Sequence, residues 1–206
     1  MAAFPRTVPP ASVTYPHVIG SLISVGQSGA LQTRSEAAQG RIWTETWAAL
    51  PAGNEDVQEL LTTIENLFNT GDTCTLTHYL LPGSGKAAHG AGGGTPLVKA
   101  AGQSGTTLDT DGWTNSTGVL KAGDCFTIAG LTVLFRATAD VTSHASGGTT
   151  EIPILPPIVA GSSPADNAAL TIASANLTAV IQEYSAASAG PDQFIGGLQV
   201  TFREAP

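Results

Sequence analysis

Turn residues punctuate the second half of this chain about every ten residues, a spacing that leaves no room there for long helices. They fall at Gly102 to Gly105, Asp111-Gly112, Ala122-Gly123-Asp124, Gly130, Gly147-Gly148 and Gly190-Pro191. The intervening runs read as strands over 96–100, 106–108, 125–128, 132–141, 151–155, 169–172, 178–183 and 194–202. Short strands bounded in this way predict a barrel or a sandwich.

The first half carries one helix signal. Asn54 is an N-cap candidate, Glu55 and Asp56 suit the positive end of a helix dipole, and Val57, Leu60, Leu61, Ile64, Leu67 and Phe68 share one face of a 3.6-residue repeat. Asn69-Thr70-Gly71 is a stop, so a helix is predicted over 54–68 with its stripe covering a sheet. Strands are predicted over 17–25, 41–47 and 72–81. In the second of these, Trp43, Glu45 and Trp47 alternate with Ile42, Thr44 and Thr46. In the third, Cys74, Leu76, His78 and Leu80 share a face. Residues 1–16 contain Pro9 and Pro10, lack alternation and read as an extended arm; residues 82–95 are glycine-rich and read as a flexible linker. The fold class is mainly β with one helix.

Only 12 % of the 206 residues are charged, about half the usual share, so Thr, Ser, Gly, Asn and Gln must cover much of the surface. A net charge of −8 with eight basic residues argues against a sequence-independent grip on nucleic acid. No run approaches the roughly 18 apolar residues of a membrane span, and Met1 to Pro10 lacks the apolar core of a secretory signal, which points to a protein made in a cytoplasm. The two cysteines, Cys74 and Cys125, are read as buried small hydrophobes, with a pairing between them left open.

The motifs that carry chemistry fall short of their patterns. Gly83-Ser84-Gly85-Lys86 has a phosphate loop's glycines and lysine, but Leu80 and Ala87 stand where the first glycine and the magnesium-binding hydroxyl belong. Asp109-Thr110-Asp111-Gly112 resembles part of a calcium loop, yet Thr107 occupies the first ligand position and no Glu closes the loop. Neither Gly-Gln-Ser-Gly segment, at 26–29 or 102–105, has the frame of a nucleophile elbow. The histidines at 17, 78, 89 and 144 are scattered, and His78 with Cys74 reads as packing. No cofactor site, metal site or catalytic residue is expected, and the chain is not read as an enzyme.

The segment that stands out runs from Gly112-Trp113 through Val119-Leu120-Lys121-Ala122-Gly123-Asp124-Cys125-Phe126-Thr127-Ile128-Ala129-Gly130, Thr138-Ala139-Asp140-Val141 and Ser146-Gly147 to Ile152-Pro153-Ile154-Leu155-Pro156-Pro157-Ile158. By itself it reads as a small barrel whose residues serve geometry. In order and spacing it resembles a module of tailed-bacteriophage tail proteins. Gly102-Gln103-Ser104-Gly105-Thr106-Thr107-Leu108 upstream, the helix after its Trp-rich strand, and Gln199-Val200-Thr201-Phe202-Arg203-Glu204 at the end extend the likeness over most of 40–206. The family it most resembles is the distal tail or baseplate-ring proteins of siphophages; the central motif also resembles an inserted barrel of some phage coat proteins, whose chains are longer.

The resemblance implies a tail-tube-like split β-barrel or sandwich formed by 17–81 and 166–206 with a flanking helix, and an inserted small β-barrel over 96–160. It implies a virion protein assembled in the host cytoplasm as a homo-oligomeric ring, usually a hexamer, contacting tail tube, tape-measure and tail-tip hub proteins, with no catalytic residues. Trp43, Trp47, Trp113, Pro9 and Pro10 are the interface candidates. The alternatives are a tail tube, terminator or capsid-associated protein, and a β-sandwich module that binds host glycan or receptor with Trp113 and Tyr79 as stacking residues.

Overall fold

The structure is a computed structural model that describes residues 2–14, 17–18, 22–25, 31–34, 41–185, 188–189 and 194–205. The chain forms two compact units, one from residues Met1–Thr75 with Ala179–Pro206 and the other from Leu76–Thr178. The architecture is mainly β with one helix, as the sequence pattern predicts.

The first unit is an eight-stranded sheet. Along its main path lie Ala2–Ala3, Cys74–Leu76, Leu177–Tyr184, Phe194–Glu204, Arg41–Pro51 and Ser12–Val13, with His17–Val18 beside Arg41–Pro51 and Ser188–Ala189 beside Phe194–Glu204. Of the predicted strand over 17–25, residues 19–21 lie outside the described residues; His17–Val18 and Leu22–Val25 are strands, the latter pairing antiparallel with Leu31–Arg34, Leu22 opposite Arg34. The two longest strands pair antiparallel with Trp43 opposite Phe202, Glu45 opposite Val200 and Trp47 opposite Leu198. Period-two alternation puts these six side chains on one face, and all are buried. Trp43 stacks on Phe202 at 5.4 Å between centroids, and Phe4 meets the same ring edge-on at 5.2 Å. Each such aromatic buries enough apolar surface to stabilise the unit by about 1.5–3 kcal/mol.

The helix runs Glu55–Thr70. Asn54 caps it by accepting from the Asp56 N–H at 2.8 Å, and Gly71, left-handed at φ 68°, ends it with its N–H on the Leu67 carbonyl. Val57, Leu60, Ile64 and Leu67 are buried. Phe68, the last residue of the predicted stripe, is exposed and stands edge-on to Tyr184 of the sheet at 5.0 Å.

The N-terminal segment is not a free arm. Ala2–Ala3 pairs parallel with Cys74 and Thr75, and Ser12–Val13 pairs antiparallel with Thr46 and Glu45, so one stretch of chain supplies a strand at each end of the sheet path. Phe4 is buried between them, and the Val8 carbonyl accepts from Trp47 Nε1 at 3.1 Å. Prolines delay regular pairing along the segment but leave its side chains free to pack.

The second unit is a six-stranded sheet in the order Gly94–Val98, Gly105–Trp113, Thr150–Ile158, Leu134–Ala137, Cys125–Ile128 and Leu170–Thr171. A bridge between Leu97 and Ala169 joins the last strand to the first, with the Val98 N–H on the Ala168 carbonyl and the Asn167 N–H on the Val98 carbonyl, both at 2.9 Å. These contacts nearly close the sheet into a barrel and so cover part of the edge an open sheet would expose. Val98, Leu108, Phe126, Phe135, Ile152 and Ile154 are among the residues filling the interior, and Phe126 and Phe135 face each other across neighbouring strands.

This unit includes the glycine-rich segment and runs on to Thr178, a wider span than the sequence-expected 96–160. The segment 82–95, expected to be a linker, is tied down: Leu81–Pro82 bridges Gly85–Lys86, and the first barrel strand starts at Gly94. The predicted strand over 72–81 is short, Cys74–Leu76, because the chain turns at His78 to Leu81. Asp111-Gly112, read as a turn, lies inside Gly105–Trp113; Gly112 at φ 73° forms an irregularity where pairing with Gly94–Val98 shifts register. The run over 132–141 divides into Leu134–Ala137 and Val141–Thr142, the latter paired with Gly118–Leu120.

Candidate functional site

Within the segment from Gly112 to Ile158, two acids of the barrel unit, Asp124 and Asp140, brace its turns. Asp124 is fully buried, and its carboxylate accepts three backbone N–H groups: His89 at 2.7 Å on Oδ1, Gly90 and Lys121 each at 2.8 Å on Oδ2. One buried charge thus closes its own turn and fastens the glycine-rich segment to it. His89 Nδ1 lies 3.5 Å from the same carboxylate, its ring mostly exposed. Gly90 fits only because it lacks a side chain, since a Cβ there would sit 2.3 Å from the Val119 carbonyl oxygen.

Asp140 answers from the next turn. It accepts the Ala122 N–H at 2.9 Å and pairs with Lys121 Nζ at 2.7 Å. The Lys121 hydrogen bond, then the Ala122 one, hold its carboxyl below the ordinary range. Gln103 of the upstream Gly-Gln-Ser-Gly works similarly, donating to the Lys99, Ala100 and Asp109 carbonyls and accepting from the Asp109 N–H. Nothing in the Gln103 side chain alone signals this role; the glycines flanking it are the legible part.

In the sheet unit two ion pairs brace the fold. Arg6 grips buried Glu45 with both terminal nitrogens, at 2.5 and 2.9 Å, and Trp43 Nε1 donates to the same carboxylate. Arg41 holds Glu204 through Nε at 2.8 Å and Nη2 at 2.7 Å. Cys74 is buried and its thiol is pushed up to about 11 by that burial, against the pull of nearby Arg6.

Each sequence-marked residue can now be placed. Trp43 and Trp47 are buried in the sheet unit and Trp113 in the barrel unit, where all three pack. The Trp113 Nε1 donates to buried Thr110 Oγ1 at 2.7 Å, which explains why a large amphipathic ring can lie inside. Of the remaining interface candidates, Pro9 is exposed and Pro10 half-buried. Tyr79 is half-buried.

At the loop resembling a phosphate site, the Gly83 N–H donates to the Lys86 carbonyl and the Ser84 N–H to the Leu81 carbonyl, so these amides do not converge on an open cradle. Ser84 is buried with its hydroxyl accepting the His78 backbone N–H. Asp109 is exposed and Asp111 half-buried on one strand, and the described residues contain no cluster of three or more His, Cys, Asp or Glu that could hold a metal. Cys74 and Cys125 are both buried and are not joined in a disulfide. No helix among the described residues is long and apolar enough to cross a membrane.

What remains open to a partner differs between the units. On the sheet, the face opposite the tryptophans presents Thr44, Thr46 and Thr201, half-buried, with exposed Gln199; Thr44 and Thr201 hydroxyls lie 3.3 Å apart across neighbouring strands. On the barrel unit, the exposed large hydrophobics include Leu155 and Val159. Compared with protein-family models and with curated proteins, the chain gives no match.

Proposed function

We propose that this chain is a structural virion protein of a tailed bacteriophage, a distal tail or baseplate-ring subunit that joins the tail tube to the tail tip. The observation that carries the reading is the placement of the phage-like motif. Its acids, Asp124 and Asp140, spend themselves on backbone amides, and the barrel they brace is inserted between Cys74–Leu76 and Leu177–Tyr184, strands that are neighbours in the sheet. A chain with few charges, whose sheet keeps a quiet, threonine-lined face, suits a subunit that meets its neighbours over broad, weakly charged surfaces. In this reading the copies form a ring, a hexamer, that contacts tail tube, tape-measure and hub proteins. The runner-up, a host-glycan module, loses its main stacking candidate with the burial of Trp113.

Mass photometry and negative-stain imaging of the purified chain across a concentration series test the proposal. A closed ring of hexamer mass is expected to grow in as concentration rises. A strict monomer throughout, with no ring on adding the tail tube protein, refutes it.

A further inference from the structure

The turn between Val141–Thr142 and Thr150–Ile158 is closed around one imidazole. His144 Nδ1 accepts the Ser146 N–H at 3.2 Å and the Gly148 N–H at 3.1 Å, with the Ser146 hydroxyl at 3.3 Å. The ring lies so close over Gly148 that a Cβ there would be 2.8 Å from Nδ1. Two backbone donors aimed at one nitrogen require it to carry a lone pair, which fixes the tautomer with the proton on Nε2. The base of the turn is held separately, by the His144 N–H on Thr150 Oγ1 at 3.1 Å and by buried Ser143, whose hydroxyl donates to the Thr114 carbonyl. The tip from Ala145 to Gly148 therefore hangs on Nδ1 while its base does not.

We infer that residues 145–148 form a proton-operated latch on the barrel unit, closed while His144 is neutral and released when Nδ1 takes a proton. A protonated Nδ1 is a donor facing two donors, so protonation and the closed turn exclude each other. His144 is exposed, which gives the proton direct access. The charged side chains on the surrounding elements are Lys99, whose Nζ bonds Thr149 Oγ1, Asp109 and Asp111 on Gly105–Trp113, and Glu151 at the head of Thr150–Ile158. None of them forms an ion pair with His144 among the described residues, so the amides are the partners the proton displaces. This inference is independent of the proposed virion role.

The experiment is amide exchange by NMR on the full chain, with protection factors for Ser146 and Gly148 compared at about pH 7.5 and about pH 5, together with the His144 nitrogen shifts. The expected result is an Nε2-protonated tautomer at the higher pH and a loss of protection of about tenfold or more at the lower, matching the loss of two hydrogen bonds. His144→Asn, whose side-chain oxygen can accept the same amides without titrating, should keep its protection at both values. A proton on Nδ1 at the higher pH, unchanged protection on acidification, or the same loss in His144→Asn would each overturn the latch.

Discussion

Replacing Asp124 by alanine would remove the acceptor of three backbone N–H groups in a site sealed from water. A hydrogen bond to a charged group is worth about 1.5–3 kcal/mol, and three would total about 4.5–9 kcal/mol were they additive. The substitution also relieves the cost of burying a carboxylate, which offsets a few kcal/mol of that sum. A net loss of about 3–5 kcal/mol is expected, against total stabilities of roughly 5–15 kcal/mol for folded domains. Asp124→Asn separates the parts. Its oxygen can stand at the Oδ2 position and keep Gly90 and Lys121, while its NH₂ group confronts the His89 N–H, so about 1–2 kcal/mol should be lost. Urea unfolding of the full chain gives the ranking, and hydrogen exchange over 86–94 shows whether the segment detaches. An alanine variant within about 0.5 kcal/mol of wild type, or one whose His89 and Gly90 amides stay protected, would refute the fastening role.

Arg6→Ala should cost the sheet unit about 3–5 kcal/mol by stranding the buried Glu45 charge, with Arg6→Lys recovering only part because an ammonium cannot match both oxygens; thermal denaturation reads both. Deleting residues 1–14 should accordingly unfold that unit, and a truncated chain with an unchanged melting temperature would contradict the packed placement of the segment. Cys74 should resist iodoacetamide at neutral pH until urea exposes it, as thiol mass labelling can show. Its folded value near 11 lies above the unsupported 9.0, so its contribution to stability is complete below 9 and lost as pH rises through the interval to about 11. Gly83→Ala, with its Cβ 2.1 Å from the Cys125 carbonyl oxygen at φ 85°, should lose well over the roughly 1–2 kcal/mol of left-handed strain expected for Gly130→Ala, where φ is 87° but the space is open; chemical denaturation of the pair separates clash from strain.

The sequence announced what local chemistry governs. Asn54, the apolar stripe and Gly71 specify the helix to within two residues at either end, and the Trp43–Trp47 alternation specifies which face of its strand is buried. Where tertiary contacts decide, the pattern misled. Proline density suggested a free arm, but Phe4 and Arg6 are placed by Phe202 and Glu45, far along the chain. Glycine density suggested a loose linker; Gly83 and Gly90 are there because carbonyls of Cys125 and Val119 approach too closely for any side chain. Asp124 was visible as part of a motif, while its partners at His89 and Gly90 carry no sequence signal that would link them to it.

The strap formed by residues 2–14 also sets an order of events during synthesis. These residues leave the ribosome before the strands they pack on, for Phe4 packs on Phe202 and the strap's far end waits for Arg41–Pro51, whose partner strand is Phe194–Glu204. The sheet unit can therefore lock only when Phe194–Glu204 emerges, and until then Trp43 lacks the Phe202 ring on which it stacks. The barrel unit, contiguous from Leu76 to Thr178, is under no such delay. The nascent chain should thus carry a finished barrel while the sheet is still incomplete, with Phe194–Glu204 timing when the sheet can lock.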